Sequence, residues 1–403
     1  MGRRACTLAQ DRKRAPCGGS GRLRAMTFVV LSAGLACASP RTETRRSNAP
    51  VSLSQEPLLT IGGASGHPLY EVIGATIVDG QIVVANAGSR EIQVYDTTGN
   101  LVRAFGHQGK GPGEFVDITW LQEVNGHLFV YDTQLDRISE FDLDGRLIHT
   151  ANAAVPRGYT YVRDMGVFAD GTVLAFAEAE RRTPRTMPSR YRDTIALLRL
   201  DPDGTYRDSV GSVVWTESYV ERWGRRGQIF LVVPFGRRSA IAVRGPRYYL
   251  MEDDDPRIDV YDTTGTLLRS LGENVGYGAQ SASDAQVKWI RARISAAFPP
   301  GVDVGDIADR VPIASSLPPY GWEGKRQLTL LRVDAMNMVW VLETGGVEDE
   351  PPVWTVLAPD GSLKARVTAD EELDILYSNA TVALVHRWNA LDVERLELRA
   401  IDW

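Results

Sequence analysis

The residues with the clearest potential for binding chemistry are arginines in two clusters. Arg181, Arg182, Arg185, Arg190 and Arg192 follow one another without an intervening acid, and Arg222, Arg225, Arg226, Arg237 and Arg238 do the same downstream, with Tyr191 and Trp223 among them. Guanidinium groups present paired N–H donors that match carboxylate, phosphate or acidic glycan oxygens, so these are candidate ligand-binding residues for an anionic partner. The bland alternative is a solvated rim, because the chain has 40 Arg against five Lys and the bias can be genomic. A second group, Glu114, Asp117, Arg163 and Asp164, stands where alternating apolar runs begin. These four can hold a metal or simply form salt bridges in a wet channel. Glu252-Asp253-Asp254-Asp255 lacks spaced calcium ligands and runs into Pro256, and the five histidines have no zinc-binding spacing. Gly106 to Gly113 superficially suggests a phosphate loop, but Gly111 follows Lys110 where Ser or Thr is needed.

The elements that must position these side chains are short strands. In the stretch Gly106–Gly145, Val116–Val124 alternates at period two, Asn125-Gly126 supplies a hairpin turn, and further strands follow at Leu128–Tyr131 and Ile138–Phe141 before an Asp-x-Asp-Gly turn. That closing turn recurs at Tyr95–Gly99, Phe141–Gly145, Leu200–Gly204, Tyr261–Gly265 and, with Ala358 replacing the first Asp, at Pro359-Asp360-Gly361. Tight turns between first and second strands fall at Asp79-Gly80, Asn125-Gly126, Asp170-Gly171, Gly245-Pro246, Ala335-Met336 and Asn379-Ala380, which makes six units. The sixth unit stops at Trp403 after three strands, whereas Leu58–Gly62 matches the fourth strands Leu101–Gly106 and Leu267–Gly272. The expected architecture is all-β, a six-bladed β-propeller in which an N-terminal strand completes the last blade.

Gly111–Phe115 (GPGEF), Leu128–Asp132 and Asp136-Arg137-Ile138 resemble the NHL-type repeats of bacterial six-bladed propellers, a group that includes exported and lipid-anchored proteins. Pro234-Phe235-Gly236 and Leu317-Pro318-Pro319-Tyr320 are similar to that group as well. The resemblance spans about residues 57 to 403 and implies a fold and a binding role without an established reaction. Calcium-dependent six-bladed lactonases place carboxylates and Asn around the channel, but their ligand set has no residue-by-residue match here.

In such a ring the connections between second and third strands share one face with those between blades. The long connections, 178–192, 210–236, 272–327 and 343–352, all belong to that face, which is therefore the expected binding surface. The insertion between blades four and five, 272–327, should contain a helix, with Ser283 and Gln286 forming a capping box and Val287, Ile290 and Ile294 on one side. It is expected to lie over the mouth of the ring, as a lid or as a plug.

The three cysteines, Cys6, Cys17 and Cys37, leave the body without a thiol, so packing must stabilise it. Ala25–Ala36 is an apolar run of export-signal length following Arg22 and Arg24. Ala36-Cys37 resembles a lipobox, with lipidation on Cys37, while Ala36-Cys37-Ala38 also reads as an A-x-A cleavage site. The expected organisation is a signal over 1–38, a flexible linker over 39–56 and the ring over 57–403.

A net charge of −6 argues against nucleic acid as partner. Two functions stay open. One is an exported, periplasmic or outer-membrane, monomeric and non-catalytic propeller without cofactor, which binds an envelope protein, glycan or small anionic ligand. The other is a calcium-dependent, lactonase-like hydrolase or lyase with Asp117 and Asp164 as ligands.

Overall fold

Local turn chemistry cuts the chain into strands of four to seven residues in most places. Asn125 and Gly126 take φ of 53° and 80°, the left-handed values a two-residue hairpin needs. At the other kind of corner the aspartate organises the turn. Asp96 Oδ1 accepts the N–H groups of Thr98 and Asn100, both at 2.9 Å, and Asp262 Oδ1 accepts those of Thr264 and Thr266 at 2.8 and 2.9 Å. Hydrogen bonds from the Thr98 hydroxyl and the Asn100 and Thr98 amides hold the Asp96 carboxyl at about 2.

The computed structural model describes residues 51–63, 67–179, 186–223, 227–252, 257–273, 281–296, 307–314, 329–343, 351–369, 373–389 and 391–403. Two short strands come first, β1 (Ser52–Leu53) and β2 (Leu59–Gly62). Blade 1 is β3 (Val72–Val78), β4 (Gln81–Asn86), β5 (Glu91–Tyr95) and β6 (Leu101–Phe105), and blade 2 is β7 (Ile118–Val124), β8 (His127–Asp132), β9 (Arg137–Phe141) and β10 (Leu147–Asn152). Blade 3 has β11 (Tyr159–Val167), β12 (Val173–Ala179), β13 (Ser189–Leu200), β14 (Tyr206–Trp223) and a fifth strand, β15 (Gly227–Val232). Blade 4 is β16 (Ala240–Arg244), β17 (Arg247–Met251), β18 (Ile258–Asp262) and β19 (Leu267–Leu271). After helices α1 (Asp284–Ala296) and α2 (Ile307–Arg310) comes blade 5, β20 (Leu331–Val333), β21 (Val339–Leu342), β22 (Val353–Leu357) and β23 (Leu363–Thr368). Blade 6 is β24 (Leu373–Ser378), β25 (Val382–Trp388) and β26 (Glu394–Asp402).

Every sheet is an antiparallel meander, and the first strands of the blades neighbour one another around the centre. One face of each blade packs on the blade before it and the other on the blade after it, which produces six apolar clusters, one per seam. Val83, Ile92 and Val94 of blade 1 meet Phe115, Leu128 and Val130 of blade 2, and the last seam joins Leu384 and Leu396 of blade 6 to Val72 and Ile82 of blade 1. In that last seam β2 pairs with β26, Leu59 opposite Leu398 and Gly62 opposite Arg395.

Two expectations need correction. Residues at the end of the expected linker are part of the ring: Ser52 and Leu53 pair with Asp402 and Ile401, and Val51 is buried. The stretch 210–236 is not a loop. β14 runs to Trp223 and turns back as β15, pairing Ser218 with Val232 and Trp223 with Gly227. The capping box of α1 forms as expected, with Ser283 N–H on Gln286 Oε1 at 2.9 Å and Gln286 N–H on Ser283 Oγ at 3.1 Å. The apolar side of the helix, however, packs on residues near this hairpin, with Ile290 against Phe235 and Ala314 and Ile294 against the cluster of Tyr219, Ile229, Val233 and Val311. Its buried contacts are with that hairpin region instead of the inner strands.

Candidate functional site

At the face where the inner strands begin, polar side chains are committed to the backbone. Asp132, at the end of β8, takes the N–H groups of Val116 and Asp117 on Oδ2 at 2.6 and 3.0 Å, and that of Leu135 on Oδ1 at 2.9 Å. Asn86 holds the equivalent place in blade 1, accepting from Tyr70 N–H and donating to the Pro68 carbonyl. Glu394 does the same across the closing seam, accepting from Glu71 and Val72 N–H, both at 2.9 Å, with His386 Nε2 at 3.0 Å. Burial pushes the Glu394 carboxyl up, but its bonds to His386, Val72 and Glu71 outweigh that and leave it below the ordinary range.

Of the four channel candidates from the sequence, three have described side chains. Glu114 lies in the connection before β7, where Oε2 accepts Gly111 N–H at 2.6 Å and Oε1 meets His107 Nε2 at 3.0 Å. Asp117 donates its N–H to Asp132, and the carbonyl accepts from Thr133. Arg163 is exposed, 5.2 Å over the Tyr161 ring, and the Asp164 side chain lies outside the described residues. Among the described residues, no three His, Cys, Asp or Glu side chains form a group suited to a metal ion.

The arginine-rich segments meet where blade 3 is elongated. Arg190 on β13 grips Glu217 on β14 with two bonds, Nε to Oε1 at 2.6 Å and Nη2 to Oε2 at 2.8 Å, while Arg237 N–H donates to Glu217 Oε2 at 3.2 Å. Burial alone would raise the Glu217 carboxyl, yet Arg190 and the Arg237 amide bring it below its usual range. One turn of the hairpin further out, Glu221 accepts from Arg310 Nε at 2.8 Å and from the Tyr219 hydroxyl at 2.8 Å, which ties α2 to β14. Arg192 donates to the carbonyls of Trp215 and Val214. These guanidiniums build the hairpin and rivet the insertion to it. Arg222 is exposed, and Arg238 is half-buried. Arg181, Arg182, Arg185, Arg225, Arg226, the Trp223 side chain and Cys37 lie outside the described residues.

A cavity of about 200 Å³ that no motif announced lies in the channel, towards the ends of the inner strands. Its lining includes Thr76, Gln122, Glu123, Arg244, Arg332 and Tyr377. Arg332 carries no local signal, being one residue of the three-residue strand Leu331-Arg332-Val333.

Residues 69–163 match a family model described as a 6-bladed beta-propeller. The chain is a six-bladed β-propeller. Among solved structures, a member of the DUF4221 family from Bacteroides vulgatus is 10% identical with a TM-score of 0.51, covering 88% of this chain and 99% of its own. A protein of Bacteroides fragilis described as exported is 10% identical with a TM-score of 0.47, covering 88% and 96%. Virginiamycin B lyase from Staphylococcus aureus is also similar, at 10% identity and a TM-score of 0.38 over 81% of this propeller and 94% of the lyase. These likenesses concern the fold. No curated protein is similar in sequence to this propeller.

Proposed function

We propose that this propeller is an exported, non-catalytic binding protein whose partner is an envelope protein docking on the face that carries the long excursions. The observation that carries this reading is the pair of apolar clusters outside the ring, Tyr219, Ile229, Val233 and Val311, and Phe235, Ile290 and Ala314. The six seams are complete without them, so ring stability does not call for a second core on one rim. Ion pairs from Arg190 and Arg310 hold this platform in one geometry, which suits pre-organised recognition. On β15, the last strand of its sheet, Phe230 and Val232 are 40% and 49% exposed and alternate with buried Ile229. Sheet edges of this kind bind extended segments of other chains. Export itself rests on the apolar run Ala25–Ala36 behind Arg22 and Arg24, with Cys37 as the residue that lipidation would modify.

Capture from envelope extract with the whole chain tests the reading. Phe230→Asp with Val232→Asp should lose a partner that Val102→Asp, on an exposed outer strand, retains. Equal capture by the two variants would remove this edge from consideration. Mass spectrometry of the mature N-terminus tests export and shows whether Cys37 carries a lipid.

A further inference from the structure

We propose that the axial cavity binds a small oxyanion, a carboxylate or inorganic phosphate, on the Arg332 guanidinium with Arg244 beside it. Arg332 lies deep in the ring and donates Nη1 to the Ile375 carbonyl of the next blade at 2.9 Å. Its Nε has no hydrogen-bond partner and is shut off from water, and Arg332 forms no ion pair among the described residues. Arg332 and Arg244 both line the cavity, so Nη2 of the first and the guanidinium of the second can supply donors to one oxyanion.

The neighbouring acids are committed elsewhere. Asp334 accepts the N–H groups of Met336 and Met338 on Oδ1, and Trp340 Nε1 and the Ser378 hydroxyl on Oδ2. Glu123 Oε1 accepts Gly126 N–H. Asp374 accepts the Thr329 hydroxyl at 3.1 Å, and burial pushes its carboxyl above the ordinary range in spite of Arg332. Gln122 is fully engaged with the Val167 peptide groups through both ends of its amide. Two guanidiniums, Arg244 and Arg332, thus share the lining with the hydrogen-bonded carboxylates of Glu123 and Asp334. Burial brings Arg332 down to about 10, with Arg244 adding to the fall against Asp374 and Asp334, so it stays charged at neutral pH.

About 200 Å³ is ample for a small anion and water, since one water needs only ~10–15 Å³. Because the lining comes from the inner strands or adjoining residues of five blades, an occupant would brace the ring across its axis.

The test is calorimetric titration and thermal melting of the whole chain with phosphate and with acetate, against chloride at equal ionic strength. Saturable binding of at least one of the two is expected, with a melting midpoint that climbs with its concentration as mass action requires. Arg244→Gln should weaken that affinity about tenfold or more, a loss of ~1.4 kcal/mol. Arg332→Met should abolish binding and also lower the anion-free midpoint, because it removes the bond to the Ile375 carbonyl and the cation near Asp374. Absence of saturable binding at about 10 mM of either anion, far above a useful affinity, would overturn the proposal. Affinity unchanged in Arg244→Gln and Arg332→Met would do so as well, and if Arg332→Met does not fold, Arg244→Gln decides alone.

Discussion

Replacing Glu394 by Ala isolates the bond that closes the ring. Its carboxylate joins the third strand of blade 6 to the first residues of blade 1, more than 320 positions away in sequence, through Glu71 N–H and Val72 N–H at 2.9 Å. Hydrogen bonds to charged acceptors contribute about 1.5–3 kcal/mol each. Glu71 is exposed, so its N–H recovers water and most of that loss, whereas Val72 is 6% exposed and its N–H does not. His386, 3% exposed, loses an acceptor at the same time. The expected cost is ~2–4 kcal/mol, within the range for breaking a buried polar network. Glu394→Gln should fall between the two, because the amide keeps one acceptor and turns its NH2 towards a second donor. Guanidinium unfolding gives the magnitude, and hydrogen exchange resolved by peptide gives the location. Faster exchange should appear over 69–78 and 59–62, on both sides of the seam. A loss below about 1 kcal/mol, or faster exchange confined to 386–396, would refute the assignment of Glu394 as the closing clamp.

The corner aspartates set the acid limit. Asp96, at about 2 against an ordinary 3.8, and Asp203, Asp262 and Asp360, all lowered by bonds to Thr or Ser groups of their own turns, contribute stability that is complete above the unfolded value. That contribution should disappear as pH falls from about 3.8 towards 2, and Asp96→Asn, whose neutral amide stands in for the protonated carboxyl, should flatten the decline by lowering stability at neutral pH towards the acid value; a decline of unchanged steepness in an acid titration followed by circular dichroism would count against it. Glycine substitutions separate turns from close approaches: at Gly204, φ 82°, a Cβ would overlap the Asn152 carbonyl oxygen, while at Gly126, φ 80°, it would meet nothing within 4 Å. Gly126→Ala should cost only ~1–2 kcal/mol of backbone strain and Gly204→Ala about 3 kcal/mol or more, with strain and overlap combined, and similar unfolding midpoints for the two would show that this approach between blades 2 and 3 is softer than its geometry indicates.

The parts of the fold that could be read directly are those fixed by short-range chemistry. Asn125-Gly126 and Asp96-Thr97-Thr98-Gly99 declare their corners within four residues, and six such units predict a ring. Leu58–Gly62 was recognisable as a displaced fourth strand because it keeps the apolar pattern of its counterparts. The elongation of blade 3 was hidden, since Glu221-Arg222-Trp223-Gly224-Arg225-Arg226 is polar on all sides and reads as a loop. Pairing with β15 decides the conformation of Glu221, Arg222 and Trp223. The role of Arg190 was hidden for a related reason: its partner Glu217 is 27 residues away and becomes adjacent only when two strands find their register. Arg332 is the extreme case, because nothing within its own strand says that this position faces the axis.

The two N-terminal strands and β26 also set an order of events for folding. Leu59 meets a partner some 340 residues later, against about 20 within a blade, which is roughly four doublings of loop length and adds about 2.5 kcal/mol of closure entropy. Blades 1 to 5 can therefore zip up from neighbouring residues while the chain is still emerging, and the seam forms only when the last strand arrives. Until then the first segment waits with Ile61 uncovered, so the circle cannot close before β26 has been made.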